Sequence, residues 1–492
     1  MTCAPRPPAS EPTDAVLWAQ LHLALCSVWF MSGDAGRAVA EADAVLASPG
    51  LPGRVYAAAA QSRLLALIAQ DDPRVNADQI IPSDGEAGTP AALTTLAALA
   101  WRGGRVGDTV RWLREAADAD RTTCRSGPRC YPELGLAVVL AAMGGFEEAN
   151  ALVVAAADEI TLRGDTQWAA APAVFAARID LAAGRRAEAT TLAHVGLDLS
   201  ADLATPLFAP IARQVLVTAA LSRLELEAAG EELARWPADD VIARLPFGGP
   251  NRLWMAARLR EASAKVVDAE TSDNAFDVLA TDLPLLLEES AAAAWLVRAA
   301  FAVGDKERAS AVVDTAAHLA ALNPNYPAVA ALASHARGVF AGDPELLVGA
   351  ASGYRSPWAR ASAAEDAGVA FRERGERAEA TKWLVRAAAE YERCDATRDH
   401  GRVRARLRKL GVRRRHWRSE DRPATGWDSL TETELAVTDL VTEGLSNQQV
   451  GQRMFLSRHT VDFHLRQIFR KLGIDSRVVL TRMALTHEEV GA

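Results

Sequence analysis

From about Asp14 to Asp395 the hydrophobic positions return in one rhythm. An Ala/Leu-rich stretch with helical spacing meets a glycine-containing turn, and a second stretch with closely spaced Ala follows. The turns read MSGDAGRAVAEA around Gly33, WRGGRVGDTVRWL around Gly104, AAMGGFEEANAL around Gly145 and LAAGRRAEATTL around Gly184. They continue as EAAGEELARW around Gly230, FAVGDKERASAV around Gly304, FAGDPELLVGA around Gly342 and RERGERAEATKWL around Gly375. Successive separations are 71, 41, 39, 46, 74, 38 and 33 residues. The two large gaps are near double the others, which places further turns at Asp71-Asp72 and near Lys265. Helix–turn–helix units at a period of about 35–40 residues predict an α-solenoid of the TPR-like kind. Glycine suits the left-handed conformation that ends the first helix of each unit, and small Ala side chains let paired helices approach.

The pattern changes over Leu430–Arg477, where short amphipathic segments replace the Ala-rich pairs. Thr431 and Glu434 form a capping box that opens a helix to about Thr442, with Leu435, Leu440 and Val441 as its core residues and Gly444 as its stop. Ser446 and Gln449 form a second box ahead of a short helix, Asn447–Met454, that turns Val450 and Met454 inward. Ser457 caps a third helix. There Val461, Leu465, Ile468 and Leu472 recur at spacings of 4, 3 and 4 and define one buried stripe. Gly473 ends it, and Ser476 caps a fourth helix with Val479, Leu480 and Met483. The whole chain therefore reads as all-α, a solenoid followed by a small four-helix domain. The expected divisions are a disordered tail at 1–13, repeats at 14–397, a basic end-helix and linker at 398–427, and the terminal domain at 428–492.

Charge separates these parts. The net charge of −9 disfavours nucleic acid when taken alone, yet from Arg398 onward 18 Lys/Arg face 12 Asp/Glu. Residues 398–422 alone carry 11 basic and three acidic side chains, a run placed to supplement phosphate contacts. Within the terminal domain, the face opposite the apolar stripe presents Arg458, Asp462, Phe463, Arg466 and Arg470, with Lys471 near the helix end. Arg pairs with guanine in two places, Asp accepts from cytosine, and Phe packs on a thymine methyl. Ser446, Asn447, Ser457 and Thr460 lie at helix N-termini, where hydroxyls, amides and free N–H groups suit phosphate oxygens.

Other chemistry finds little support. No phosphate-cradling GxxxxGK[ST] loop, nucleophile elbow, HExxH pair or dinucleotide-binding glycine cluster is present, so catalysis, a cofactor and a metal are not expected. The five cysteines form no disulfide framework; Cys124 and Cys130 stand close, without further ligands to complete a metal site. Trp101, Trp112, Trp168, Trp254, Trp295 and Trp383 sit in Ala/Leu helices and read as core. No apolar run approaches the ~20 residues that span a bilayer, and the Pro-rich N-terminus lacks a signal-peptide core, so a cytoplasmic location without membrane contact is expected.

The terminal segment resembles the LuxR-type helix-turn-helix family. The resemblance rests on Leu430-Thr431 and Glu434, Gly444-Leu445-Ser446-Asn447, and Ser457-x-x-Thr460-Val461-x-x-His464-Leu465. It continues through Ile468, Arg470-Lys471-Leu472-Gly473-Ile474 and Ser476-Arg477. It implies that the third helix reads the DNA major groove and that the fourth forms a homodimer. Base contacts are implied near Asp462, Phe463 and Arg466, and backbone contacts near Ser457, Thr460, Lys471 and Arg477. Two positions depart from the pattern. Asp462 stands where many relatives carry a basic residue, and Gly451 stands where Ala is usual, at a cost of about 1 kcal/mol. The body, through Ala378-Glu379-Ala380, Cys394–Asp399 and Arg402–Leu407, resembles the end of the repeat region in large MalT-like regulators, without the phosphate loop of their ATPase. The expected function is a transcriptional regulator that binds double-stranded DNA. A protein or small-molecule effector would act on the solenoid, and RNA polymerase is a further partner. The competing expectation is a repeat-protein adaptor whose terminal domain mainly dimerises; a third, a truncated ATPase regulator, would require a phosphate loop encoded upstream.

Overall fold

The computed structural model describes residues 12–70, 72, 75, 89–122, 130–236, 247–249, 251–263, 269–412, 426–430, 432–453 and 458–491. Every regular element among them is helical, as the hydrophobic rhythm predicts. The chain divides into two units, residues 1–412 and 413–492.

In the first unit, four consecutive helix pairs show why the rhythm works. They are Pro90–Arg102 with Val106–Thr122, Pro132–Ala142 with Phe146–Arg163, Ala171–Ala182 with Arg186–Asp202, and Ala209–Arg223 with Leu226–Ala234. Their turns centre on Gly104, Gly144, Gly184 and Leu224, spaced by 40 residues, and all four residues have positive φ. The turn assigned to Gly230 is thus corrected: Gly230 lies inside the helix Leu226–Ala234, and Leu224 (φ 63°) takes the left-handed position. Later pairs turn at Gly304, Gly342 and Gly375. Asp71 and Lys265 lie outside the described residues, and so does Cys124. The basic helix Thr397–Lys409 buries Val403 and Leu407 and packs against both Arg377–Arg393 and Ala209–Arg223.

The unit is folded back on itself. The backbone N–H of Val106 donates to Asn323 Oδ1 (2.8 Å), and Asn323 Nδ2 donates to the Gly104 carbonyl (2.7 Å). One repeat further on, Gly144 lies against Arg355. At the next, Gly184 lies against Cys394 and Pro357, and Arg186 donates to the Cys394 carbonyl. Successive turns of the early repeats therefore seat on successive late repeats. Small residues make the approach possible: a methyl group at Gly104 would come within 2.6 Å of Leu319. Trp101, Trp168, Trp254 and Trp383 are buried and Trp112 and Trp295 half-buried, in keeping with their reading as core.

One expectation about length needs correction. The first helix, Pro12–Met31, contains an 18-residue window, Asp14–Met31, with mean hydropathy 1.3, long and apolar enough by length and composition to cross a membrane. It packs on the helices Ala35–Leu46 and Gly53–Ala69 through Ala19, Cys26 and Met31, and leaves Leu17, Leu21 and Val28 exposed. Interrupting polar residues such as Gln20 and His22 hide this run from inspection for unbroken apolar stretches.

Candidate nucleic-acid interface

The second unit is built from helices Glu432–Thr442, Asn447–Arg453, Arg458–Leu472 and Arg477–Gly491. Their starts follow from local chemistry. At the second helix, Ser446 N–H donates to Gln449 Oε1 (2.8 Å) and Gln449 N–H faces Ser446 Oγ (3.4 Å), the reciprocal pair of a capping box. At the fourth, Val479 N–H donates to Ser476 Oγ (3.3 Å). Gly444 and Gly473, both at positive φ, end the first and third helices. Thr431, Met454 and Ser457 lie outside the described residues.

A single small core joins these helices. Leu430, Val437, Val441, Val450, Val461, Leu465, Ile468 and Leu480 are buried together, with Trp427, Leu440, Leu445 and Leu472 at the edge. The expected stripe of the third helix is therefore the inner face. Leu435 is a correction: it is 38% exposed, and Val437 and Thr438 take the inward positions of the first helix.

The core also holds an ion pair that sequence reasoning missed. Lys471 is 4% exposed, its ammonium donating to the Ser429 carbonyl (2.8 Å) and contacting the Glu434 carboxylate. The phosphate contact expected of Lys471 is corrected accordingly, because its cation faces inward. The signal was present in the helical period: position 471 follows Ile468 by three and so falls on the buried stripe. Glu434, read as half of a capping box with Thr431, which lies outside the described residues, also contacts this lysine.

The outer side of the unit divides into two parts. Arg466 is exposed and forms no hydrogen bond or ion pair among the described residues, while Arg470, also exposed, donates to Gln467. Ser446 is exposed at the start of the second helix. Asn447, Asp462 and Arg477, expected as three separate DNA contacts, are instead joined to one another. Arg477 donates to Asn447 Oδ1 (2.8 Å) and to the Leu445 carbonyl, and Asn447 Nδ2 donates to Asp462 Oδ1. These hydrogen bonds tie the second, third and fourth helices to one another. The side chains of Arg458, Thr460 and Phe463, all on the third helix, lie outside the described residues.

A short helix followed by a longer one, with an exposed arginine on the outer face of the longer that has no partner among the described residues, is the geometry of a major-groove reader. Comparison with known proteins agrees. The family described as "Bacterial regulatory proteins, luxR family" matches residues 428–484. A Mycobacterium tuberculosis protein named as an HTH-type transcriptional regulator is 54% identical over 59 residues, 12% of this chain and 7% of the relative. The nitrate/nitrite response regulator protein homolog of Haemophilus influenzae is 40% identical over 75 residues, 15% of this chain and 33% of the relative. The chain thus spans under a tenth of the mycobacterial relative and a third of the Haemophilus one. A solved Rap protein, complexed with competence and sporulation factor, covers 80% of this chain and 97% of its own at a TM-score of 0.38 and 11% identity, too loose a likeness to inform fold or function. Residues 428–484 are a helix-turn-helix domain of the LuxR family.

Proposed function

We propose that the protein is a sequence-specific DNA-binding transcriptional regulator. In this reading the helix Arg458–Leu472 enters the major groove and the solenoid senses an effector or partner. The observation that carries it is Arg466, an exposed guanidinium without a partner among the described residues, on the face opposite the buried core stripe. Its fork is available to accept a guanine edge, and Phe463 is assigned to the neighbouring base. Ser446, Ser457, Arg458, Thr460 and Arg470 are assigned to phosphates. Asp462, Asn447 and Arg477 are assigned to holding the reading helix at its angle. A homodimer fits the fourth helix, where Val478 stands 78% exposed, and a two-fold dimer calls for half-sites about 34–36 Å apart.

The test is mobility-shift titration of the full chain against DNA from its own gene neighbourhood and against unrelated DNA, at several salt concentrations. Specific binding should fall steeply with salt. Arg466→Ala should weaken it by roughly 5- to 150-fold, the loss of one bidentate base contact, with circular dichroism unchanged. Equal binding to both DNAs, indifferent to Arg466→Ala, would refute base readout. Dimers that shift no DNA at all would favour the adaptor reading.

A further inference from the structure

The first unit holds a partly open cavity, lined by charged and apolar side chains, where its early and late repeats meet. Arg178 on Ala171–Ala182, Arg186 at the head of Arg186–Asp202, Arg258 on Arg252–Ala262, and Glu288 and Glu289 at the end of Leu283–Glu288 line it, together with Trp358. The cavity volume is about 60 Å³, room for roughly four waters. The charges inside do not cancel: three guanidinium groups face two carboxylates.

Nor are the three arginines equally engaged. Arg178 is paired with Glu289 (2.9 Å) and Glu288 (3.4 Å). Arg186, 3% exposed, donates to the Cys394 carbonyl but leaves its Nε without a hydrogen-bond partner among the described residues. Arg258, 6% exposed, has no hydrogen bond or ion pair among the described residues; it lies over the rings of Trp254 (5.7 Å) and Trp358 (5.3 Å). The carboxylates that act on it are already committed, Glu261 to Arg398. Glu289 is held by Arg178 and Gln214, and Asp399 by Trp358 and Arg402. An arginine stays charged in a protein, and a buried cation without a hydrogen-bonding counter-charge is destabilising. A planar fork backed by aromatic rings and open on one side is the usual receptor for a carboxylate or phosphate.

We infer that this cavity is a binding site for a small oxyanion-bearing molecule, its carboxylate or phosphate group held by Arg258 and the free Nε of Arg186. The group would join Arg186, on the third early pair, to Arg258, on the helix that follows the fourth. The assignment gives the solenoid-sensing reading above its ligand class, and it is tested without DNA, so the two can fail separately.

Thermal unfolding of the full chain in phosphate, in acetate and in chloride at matched ionic strength tests it. The midpoint of the wild type should rise in phosphate or in acetate above its value in chloride, and which of the two acts distinguishes the phosphate from the carboxylate class. In Arg258→Met that anion-specific rise should vanish, while in chloride the variant should melt at or above the wild-type midpoint, since an uncompensated charge is gone. Arg258→Lys keeps the charge without the fork and should retain a reduced response. Equal midpoints for the wild type in all three salts, or an anion response unchanged in Arg258→Met, would overturn the assignment. So would an Arg258→Met chain that melts well below wild type in chloride while Arg258→Lys responds fully.

Discussion

Lys471 carries its ammonium group inside the terminal core, against Glu434 and the Ser429 carbonyl. Taking away one partner of such a pair strands the other charge, and breaking buried pairs typically costs about 3–5 kcal/mol. Lys471→Met is therefore expected to lower the stability of the terminal domain by that amount, as read by hydrogen exchange of the helix Arg458–Leu472 in the full chain. The slope of log K for DNA against log salt should stay as in the wild type, since no phosphate contact is lost; a slope reduced by about 0.9 would return Lys471 to the interface. At this scale much of the site was legible. The period that marks Val461, Leu465 and Ile468 as buried also reaches position 471, and the Ser446–Gln449 box is visible as spacing. The link from Arg477 through Asn447 to Asp462 was not legible, because it joins side chains 15 and 30 residues apart whose encounter depends on the helix angles.

The turns show what an element inherits from its neighbours. Gly104 and Gly304 end equivalent helices at φ 71° and 79°, yet only Gly104 is packed, with Leu319 2.6 Å from where a methyl would stand; nothing lies within 4 Å of that point at Gly304. Gly304→Ala should cost about 1–2 kcal/mol for the left-handed backbone alone. Gly104→Ala should cost about 1–3 kcal/mol more for the overpacking. Urea titrations of the two variants check the order, and equal losses would mean that the seam between early and late repeats yields freely. The solenoid itself could be read from the sequence because its signal is local: helix, turn, helix. Leu224 escaped because a leucine in the left-handed region breaks the rule by which turns were found. The folding back escaped as well, since contacts between residues 208 to 219 apart leave no periodic trace.

For the whole first unit, the buried charges set a pH dependence. Burial pushes the Glu288 carboxyl up to about 7, against the opposing pull of Arg178, Trp101 and the Gly248 N–H. Between its ordinary 4.5 and this value only the folded chain holds the proton, so stability falls as pH rises through that window and levels off above it. The decline attributable to Glu288 is roughly 3 kcal/mol. Glu288→Gln should flatten the fall, as measured by urea unfolding at pH 5, 6, 7 and 8. Parallel curves for variant and wild type would show that another group titrates.

The seam between early and late repeats bears on how such a chain can change over generations. An open array tolerates the gain or loss of a unit, because each repeat touches only the next. Here Gly104, Gly144 and Gly184 must each arrive opposite Asn323, Arg355 and Cys394. Deleting one forty-residue unit from either side would slide every later contact out of step, separating Arg186 from Cys394 as surely as Gly104 from Asn323. Unit number is thus a coupled quantity in this protein, free to drift only if both sides gain or lose together.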